Sequence, residues 1–148
     1  MTFMRRFGEA IDPRQAYVTR PGAYAVIRRG GELLLTEQDA ARRELQLPGG
    51  GLDPGEGPLR ALHRECLEET GWTIRPLAWI GVYQRFCYMP EYNLWARKVC
   101  HIYLCHSGVR HGPPREAEHR AVWMPIAAAV EALSISGDRH FARRVAKG

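Results

Sequence analysis

The sequence predicts an α/β protein in which a mixed sheet carries helices on its faces. Three observations predict it. One segment, Pro58 to Gly71, has every mark of a helix. Short apolar strand-like runs precede and follow it, and two more helical stretches close the chain. Strands, one helix, more strands and then helices imply a mixed sheet with helices packed on its faces.

The elements follow in order. The first 15 or so residues are mixed in character and read as a loose lead-in. Ala23–Ile27 and Leu33–Thr36 are apolar runs around Gly30-Gly31 and read as a hairpin. Leu45–Leu47 reads as a short strand stopped by Pro48-Gly49-Gly50-Gly51, and Leu52 to Gly57 as a loop. Pro58 suits a helix start and Gly71 a helix stop, with Leu59, Leu62 and Cys66 at helical spacing between them. Strands are predicted at Ile74–Ile80, Val82–Tyr88, Val99–Cys105 and Ala121–Met124. Helices are predicted from Pro125 to about Leu133 and from Asp138 to Val145. One domain over residues 1–148 is expected.

Composition bounds the function classes. The 148 residues are 45% hydrophobic and 25% charged, the balance of a protein with an aqueous surface and a real core. No apolar stretch reaches the roughly 20 residues that span a bilayer. Met1–Phe7 holds two arginines with no apolar run behind them, so a cytoplasmic location without a secretory leader is expected. The net charge of +5 suits an anionic partner. The arginine pairs at 5–6, 28–29, 42–43 and 143–144 are scattered, so nucleic acid is set aside as the main partner in favour of a small anionic molecule. Cys66, Cys87, Cys100 and Cys105 have no Cys-x-x-Cys spacing and read as buried free thiols rather than a zinc site.

The segment with the most chemical content runs from Gly49 to Trp72. Gly50 is followed after five residues by Glu56, and after seven more by Arg64-Glu65-Cys66-Leu67-Glu68-Glu69-Thr70-Gly71-Trp72. On a helix, Glu65, Glu68 and Glu69 fall on one side, beside small Ala61, while Leu59, Leu62 and Cys66 fall on the adjoining apolar side. Each like-charged pair at ~6 Å and an effective dielectric of ~20 costs roughly 3 kcal/mol, so a cation is needed. Hard carboxylate oxygens suit Mg²⁺, with Mn²⁺ able to substitute. The alternative is a solvated acidic face paired with arginines. Arg64 sits one turn from Glu68 and serves that alternative, but Glu65 has no such partner four residues away.

The same segment resembles the Nudix box, G-x5-E-x7-R-E-U-x-E-E-x-G-U, where U is a bulky apolar residue. All seven fixed positions match, with chance odds on the order of 10⁻⁸ per starting position. Cys66 and Trp72 fill the two U positions less conventionally. The resemblance implies an α/β/α sandwich with a central mixed sheet. It also implies Mg²⁺-dependent hydrolysis of a pyrophosphate bond in a nucleoside diphosphate derivative. By the same resemblance Glu65, Glu68 and Glu69 hold divalent ions, a carbonyl at Gly49 adds a ligand, and Glu56 supports the site. Arg64 fixes a glutamate by a charge-assisted hydrogen bond. Glu65 and Glu68 are the candidates for the general base.

Outside the box the resemblance is looser. Family members often add a carboxylate from a loop before a late strand. In Arg115–Pro125, Glu118 is the choice for that ligand or base and Glu116 the alternate; a solvated loop charge is the other reading. Tyr83, Phe86, Tyr88, Tyr92 and Trp95 form an aromatic-rich stretch around Pro90. Tyr88 and Trp95 are expected to meet a base and Arg85 a phosphate, with Arg97 and Lys98 as further cations; plain packing and solvation are the competing readings. The short chain leans towards a nucleoside triphosphate or similarly small substrate, and a homodimer is compatible with it. Two rivals stand beside the hydrolase: a nucleotide-sensing module without turnover, and an enzyme processing RNA 5′ ends.

Overall fold

The computed structural model describes residues 4–38 and 43–148; Met1–Phe3 and Arg42 of the Arg42–Arg43 pair lie outside them. Eight strands and three helices follow in the order β1 (Arg5–Phe7), β2 (Val18–Arg29), β3 (Glu32–Gln38), β4 (Glu44–Gln46), β5 (Gly49–Gly51), α1 (Pro58–Thr70), β6 (Trp72–Met89), β7 (Leu94–Arg110), β8 (His119–Pro125), α2 (Ile126–Ala132) and α3 (Ser136–Lys147). The sheet runs β1-β6-β7-β2-β3-β4, with β5 paired to β2 and β8 to β3. It is mixed: β2 lies parallel to β7, while β6 and β7 are antiparallel.

Alternation along the strands builds a core on each face. In β2, Ala23, Ala25 and Ile27 point to the α1 side and meet Leu62 and Cys66 of that helix. Val26, between them, points to the other side with Leu33, Leu35 and Tyr83, under Phe141 and Val145 of α3. Burial on both faces is why the run from Ala23 to Ile27 is apolar throughout. The result is the expected α/β/α sandwich. Leu62 is fully buried, so its truncation to Ala would cost roughly 2–5 kcal/mol.

Three expectations change. The lead-in is not loose throughout, because Arg5–Phe7 pairs in parallel with Tyr83–Arg85. The two strands expected between Ile74 and Tyr88 are one: the gap left at Gly81 is absorbed as a register shift against β7, with a second shift after Pro76 inside the first expected strand. Leu59 has the right angular position on α1 but sits in its first turn and stays 50% exposed; Ala61 is buried in its place.

The ends of α1 position everything that follows. Pro58 opens the helix, and Gly57 O accepts the N–H of Ala61 at 3.0 Å. Gly71 closes it with a left-handed φ of 77° and donates its N–H to Leu67 O at 2.9 Å. The loop after β7 is tied to the same end: His111 N–H reaches Gly71 O at 2.7 Å, and Arg115 N–H reaches Glu68 O at 2.9 Å. Carbonyls left over at the helix terminus therefore hold a loop that is some 40 residues away in sequence.

Candidate active site

Arg64 is the hub of the acidic face of α1. Its Nε and Nη2 donate to Oε2 and Oε1 of Glu56, both at 2.8 Å. Its Nη1 donates to Glu65 Oε1 at 2.9 Å and Glu68 Oε2 at 3.4 Å, and its Nη2 also reaches Gly51 O at 3.2 Å. One guanidinium thus fixes the loop glutamate, two helix glutamates and the glycine strand β5. Hydrogen bonds from Arg64 and from the Asp53 N–H hold the Glu56 carboxyl down to about 2. Glu65 does have a cationic neighbour, the adjacent Arg64, which spacing by helical turns does not reveal.

Glu69 lies deepest. Its Oε2 accepts the N–H of Gly49 at 3.1 Å, yet burial, reinforced by Glu65, Glu116 and Glu68, pushes its carboxyl up to about 8. Burial also raises Glu65, against the pull of Arg64. Gly50 packs directly over Glu65: a Cβ there would lie 2.6 Å from Glu65 Cδ, so any side chain at this position would have to displace the Glu65 carboxylate. β5 is thus pressed against α1 from the sheet side.

The loop before β8 completes the cluster through Glu116 rather than Glu118. Oxygens of Glu65, Glu68 and Glu116 lie within 4.8 Å of one another, and so do ligand atoms of Glu69, Glu116 and His119. Glu118 is exposed and belongs to neither group. His119 Nε2 meets Glu116 Oε2 at 2.8 Å while Nδ1 meets Thr36 Oγ1 at 2.9 Å. The Glu116 carboxylate can only accept, so Nε2 is the donor to it, while Nδ1 and the Thr36 hydroxyl share a hydrogen bond that fixes the ring. A cleft of about 240 Å³ opens beside Glu69, and Gly49, Tyr24, Lys98, Arg20 and Tyr92 line it.

Arg85, Tyr88 and Trp95 are not brought to that cleft. Arg85 lies between Gly8 and Lys98. Tyr88 and Trp95 face each other across β6 and β7, ring centroids 5.2 Å apart, and the Tyr88 hydroxyl donates to Asn93 Oδ1 at 2.5 Å. The residues of that stretch that do reach the cleft are Met89, Glu91, Tyr92 and Lys98, with the Arg20 guanidinium 4.6 Å over the Tyr92 ring. Sequence reasoning missed His119, Thr36, Tyr24 and Arg20. The one legible signal was the Glu116-x-x-His119 spacing at the mouth of a strand.

The donor set fits a divalent cation. It consists of carboxylate oxygens, which suit hard ions, and one of them is buried at a cost that a nearby positive charge would relieve. All four cysteines are free and buried, and none joins the cluster.

Comparison with known proteins agrees. The NUDIX domain family matches residues 18–145, and the chain belongs to that family. It is 38% identical over 74 residues to a Bacillus subtilis protein provisionally named an 8-oxo-dGTP diphosphatase, covering 50% of each chain. It is 42% identical over 57 residues to the RNA pyrophosphohydrolase of Helicobacter pylori, covering 35% of this chain and 37% of that one. The chain thus spans half or less of the length of these relatives. Among solved structures it resembles the MutT protein of Bacillus halodurans, with a TM-score of 0.70 at 18% identity over 85% of this chain and 81% of that one. It also resembles a NUDIX hydrolase of Nitrosomonas europaea, with a TM-score of 0.64 at 24% identity over 88% and 91%. No helix of the described residues is long and apolar enough to cross a membrane.

Proposed function

We propose that the chain is a Mg²⁺-dependent pyrophosphohydrolase that uses water to cut a pyrophosphate bond in a nucleoside diphosphate derivative, acting as one catalytic domain in the cytoplasm. The observation that carries this reading is the convergence of Glu65 and Glu68 on Glu116, which also meets Glu69 and His119 beside the cleft, with Arg64 bridging Glu56, Glu65 and Glu68. Glu65, Glu68 and Glu69 would hold Mg²⁺, or Mn²⁺ in its place, with Gly49 beside them and Glu56 acting through Arg64. A divalent cation supplies charge neutralisation on the pyrophosphate oxygens and lowers the pKa of water.

The chain's own groups account for the rest. Arg20 and Lys98 line the cleft and are suited to phosphate oxygens; Tyr92 and Tyr24 offer ring faces. Water oxygen bonds to one phosphorus, the bridging P–O bond breaks, and the phosphate-bearing group leaves with that electron pair. The proton of the water passes to a carboxylate, for which Glu65, Glu68 and Glu116 are the candidates; Glu118 is disfavoured because it joins neither group of converging ligand atoms. The relatives named above are called, the first provisionally, an 8-oxo-dGTP diphosphatase and an RNA pyrophosphohydrolase, and hydrolysis of a phosphoanhydride is common to both names. The test is phosphate or pyrophosphate release from a panel of nucleotides with Mg²⁺, with Mn²⁺ and with chelator. Release that needs the metal supports the reading, whereas ligand binding without turnover at any metal concentration would leave a nucleotide-sensing module instead.

A further inference from the structure

Arg64 restrains the carboxylates of α1 and of the loop before it, but it makes no ion pair with Glu116. Glu116 stands on the loop before β8 with its side chain half-exposed. It still comes within 4.8 Å of ligand oxygens of Glu65, Glu68 and Glu69. Carboxylates this close repel one another, and a long side chain on a loop can relieve the repulsion by swinging out into water. Something must therefore hold it in. Among the described residues its one ion-pair partner is His119, Nε2 to Oε2 at 2.8 Å.

The hold is built in three steps. His119 is the first residue of β8, and the turn from Glu116 to His119 is closed through the backbone as well, His119 N–H to Glu116 O at 3.1 Å. The other side of the loop is tied to α1, Arg115 N–H to Glu68 O at 2.9 Å. The ring of His119 is then held from behind. His119 pairs with Gln38 and Ala121 with Thr36, so Thr36 lies on the same face of the sheet as His119, one diagonal step away. Its Oγ1 is 2.9 Å from His119 Nδ1. Thr36 is 2% exposed and the His119 side chain 8%, so there is little water to replace either bond. A buried ring with a partner on each nitrogen keeps one orientation.

We propose that Thr36 and His119 are positioning residues for the hydrolysis: they hold the Glu116 carboxylate towards Glu65, Glu68 and Glu69, as Arg64 holds Glu56, Glu65 and Glu68. Thr36 acts through the ring, and the ring acts through Glu116. With Oε2 taken by the ring N–H, acceptor sites remain on the carboxylate for an ion or a water. The inference rests on the proposed hydrolase reading. It adds a buried hydroxyl of β3, far in sequence from the glutamate helix, to the groups that set the rate.

The test uses Thr36→Val, which keeps the branched shape and removes the hydroxyl, and Thr36→Ser, which keeps the hydroxyl. Each is assayed by metal-dependent phosphate or pyrophosphate release from a nucleoside triphosphate, and Thr36→Val also in a Glu116→Gln background. Thr36→Val is expected to lower kcat about tenfold with KM moved less than about twofold, and Thr36→Ser to stay within about threefold of wild type. In the Glu116→Gln background Thr36→Val should add less than about twofold, because its route to the site is already cut. Wild-type kcat in Thr36→Val, an equal loss in Thr36→Ser, or the same loss in both backgrounds would overturn the proposal. If wild type releases nothing from any nucleotide, the hydrolase reading fails, and nuclear magnetic resonance of the isotope-labelled ring nitrogens in chelator tests the hold on Glu116 by itself. A His119 Nε2 proton protected from solvent exchange in wild type, assigned by its absence in His119→Gln, and exchanging about tenfold faster or more in Thr36→Val upholds it. An unprotected proton in wild type, or one that Thr36→Val leaves unchanged, overturns it. The wild-type proton needs no Thr36 variant, so this arm stands even where Thr36→Val does not fold.

Discussion

Arg64 grips Glu56 with two contacts of equal length, Nε to Oε2 and Nη2 to Oε1, both at 2.8 Å. The pair joins the loop before α1 to the helix that carries the glutamates, and the remaining guanidinium nitrogen reaches Glu65 and Glu68. Lysine keeps the charge but cannot supply this fork. Arg64→Lys is therefore expected to lower kcat about 10- to 100-fold and to weaken divalent-metal affinity, with circular dichroism unchanged. Steady-state kinetics and metal titration check it; full activity in the lysine variant would mean that charge alone matters at this position.

Glu116 and Glu118 are separated by one residue but not by function in the same way. Both are exposed, but Glu116 joins the carboxylate cluster and bonds to His119, while Glu118 belongs to neither group of converging ligand atoms. Glu116→Gln is predicted to reduce kcat/KM by about 10- to 1,000-fold, within the span of general-base and metal-supporting effects. Glu118→Gln should stay within about twofold of wild type. Parallel assays of the two variants settle the assignment, and the reverse ranking would move the loop carboxylate to Glu118.

Asp138 gives a pH dependence apart from the cluster. It is buried at the start of α3, accepting the Tyr83 hydroxyl at 2.8 Å and the Leu47 N–H at 3.2 Å. Burial outweighs these bonds and pushes its carboxyl up to about 6, against an ordinary 3.8. The folded chain keeps this proton at pH values where the unfolded chain has released it. Stability from this group thus falls as pH rises from about 4 to about 6, by about 3 kcal/mol. In Asp138→Asn the side-chain carbonyl can accept from Leu47 and the amide can donate to the Tyr83 oxygen, so the packing is retained. Urea unfolding across pH 4–7 should show the variant gaining on wild type through that window; parallel curves would show that Asp138 does not titrate there.

Much of the site was legible in the sequence because it is local. Gly50, Glu56, Arg64, Glu65, Glu68 and Glu69 fall within one loop and one helix, where spacing determines which residues share a face. Glu116, His119 and Thr36 were harder to place because strand register brings them together: His119 pairs with Gln38 and Ala121 with Thr36 across β3 and β8. Arg85, Tyr88 and Trp95 were chosen by residue type, but type does not say which way a strand residue points. Tyr88 and Trp95 are cross-strand partners, and each has the other to pack against. The fold class followed mainly from the resemblance of the Gly50–Trp72 segment, with which the element order is compatible, whereas the merging of two predicted strands into β6 depended on register shifts against β7.

The most direct measurement is phosphate or pyrophosphate release from a nucleoside triphosphate by wild type and by Glu69→Gln, each with Mg²⁺ and with chelator. Glu69→Gln keeps the shape and an acceptor for the Gly49 N–H but removes the deepest charge. The account predicts metal-dependent release by wild type, abolished by chelator and reduced by roughly 10²- to 10⁴-fold in the variant. Wild-type turnover that persists in chelator, or a Glu69→Gln variant as active as wild type, would contradict the assignment of these glutamates to a metal centre.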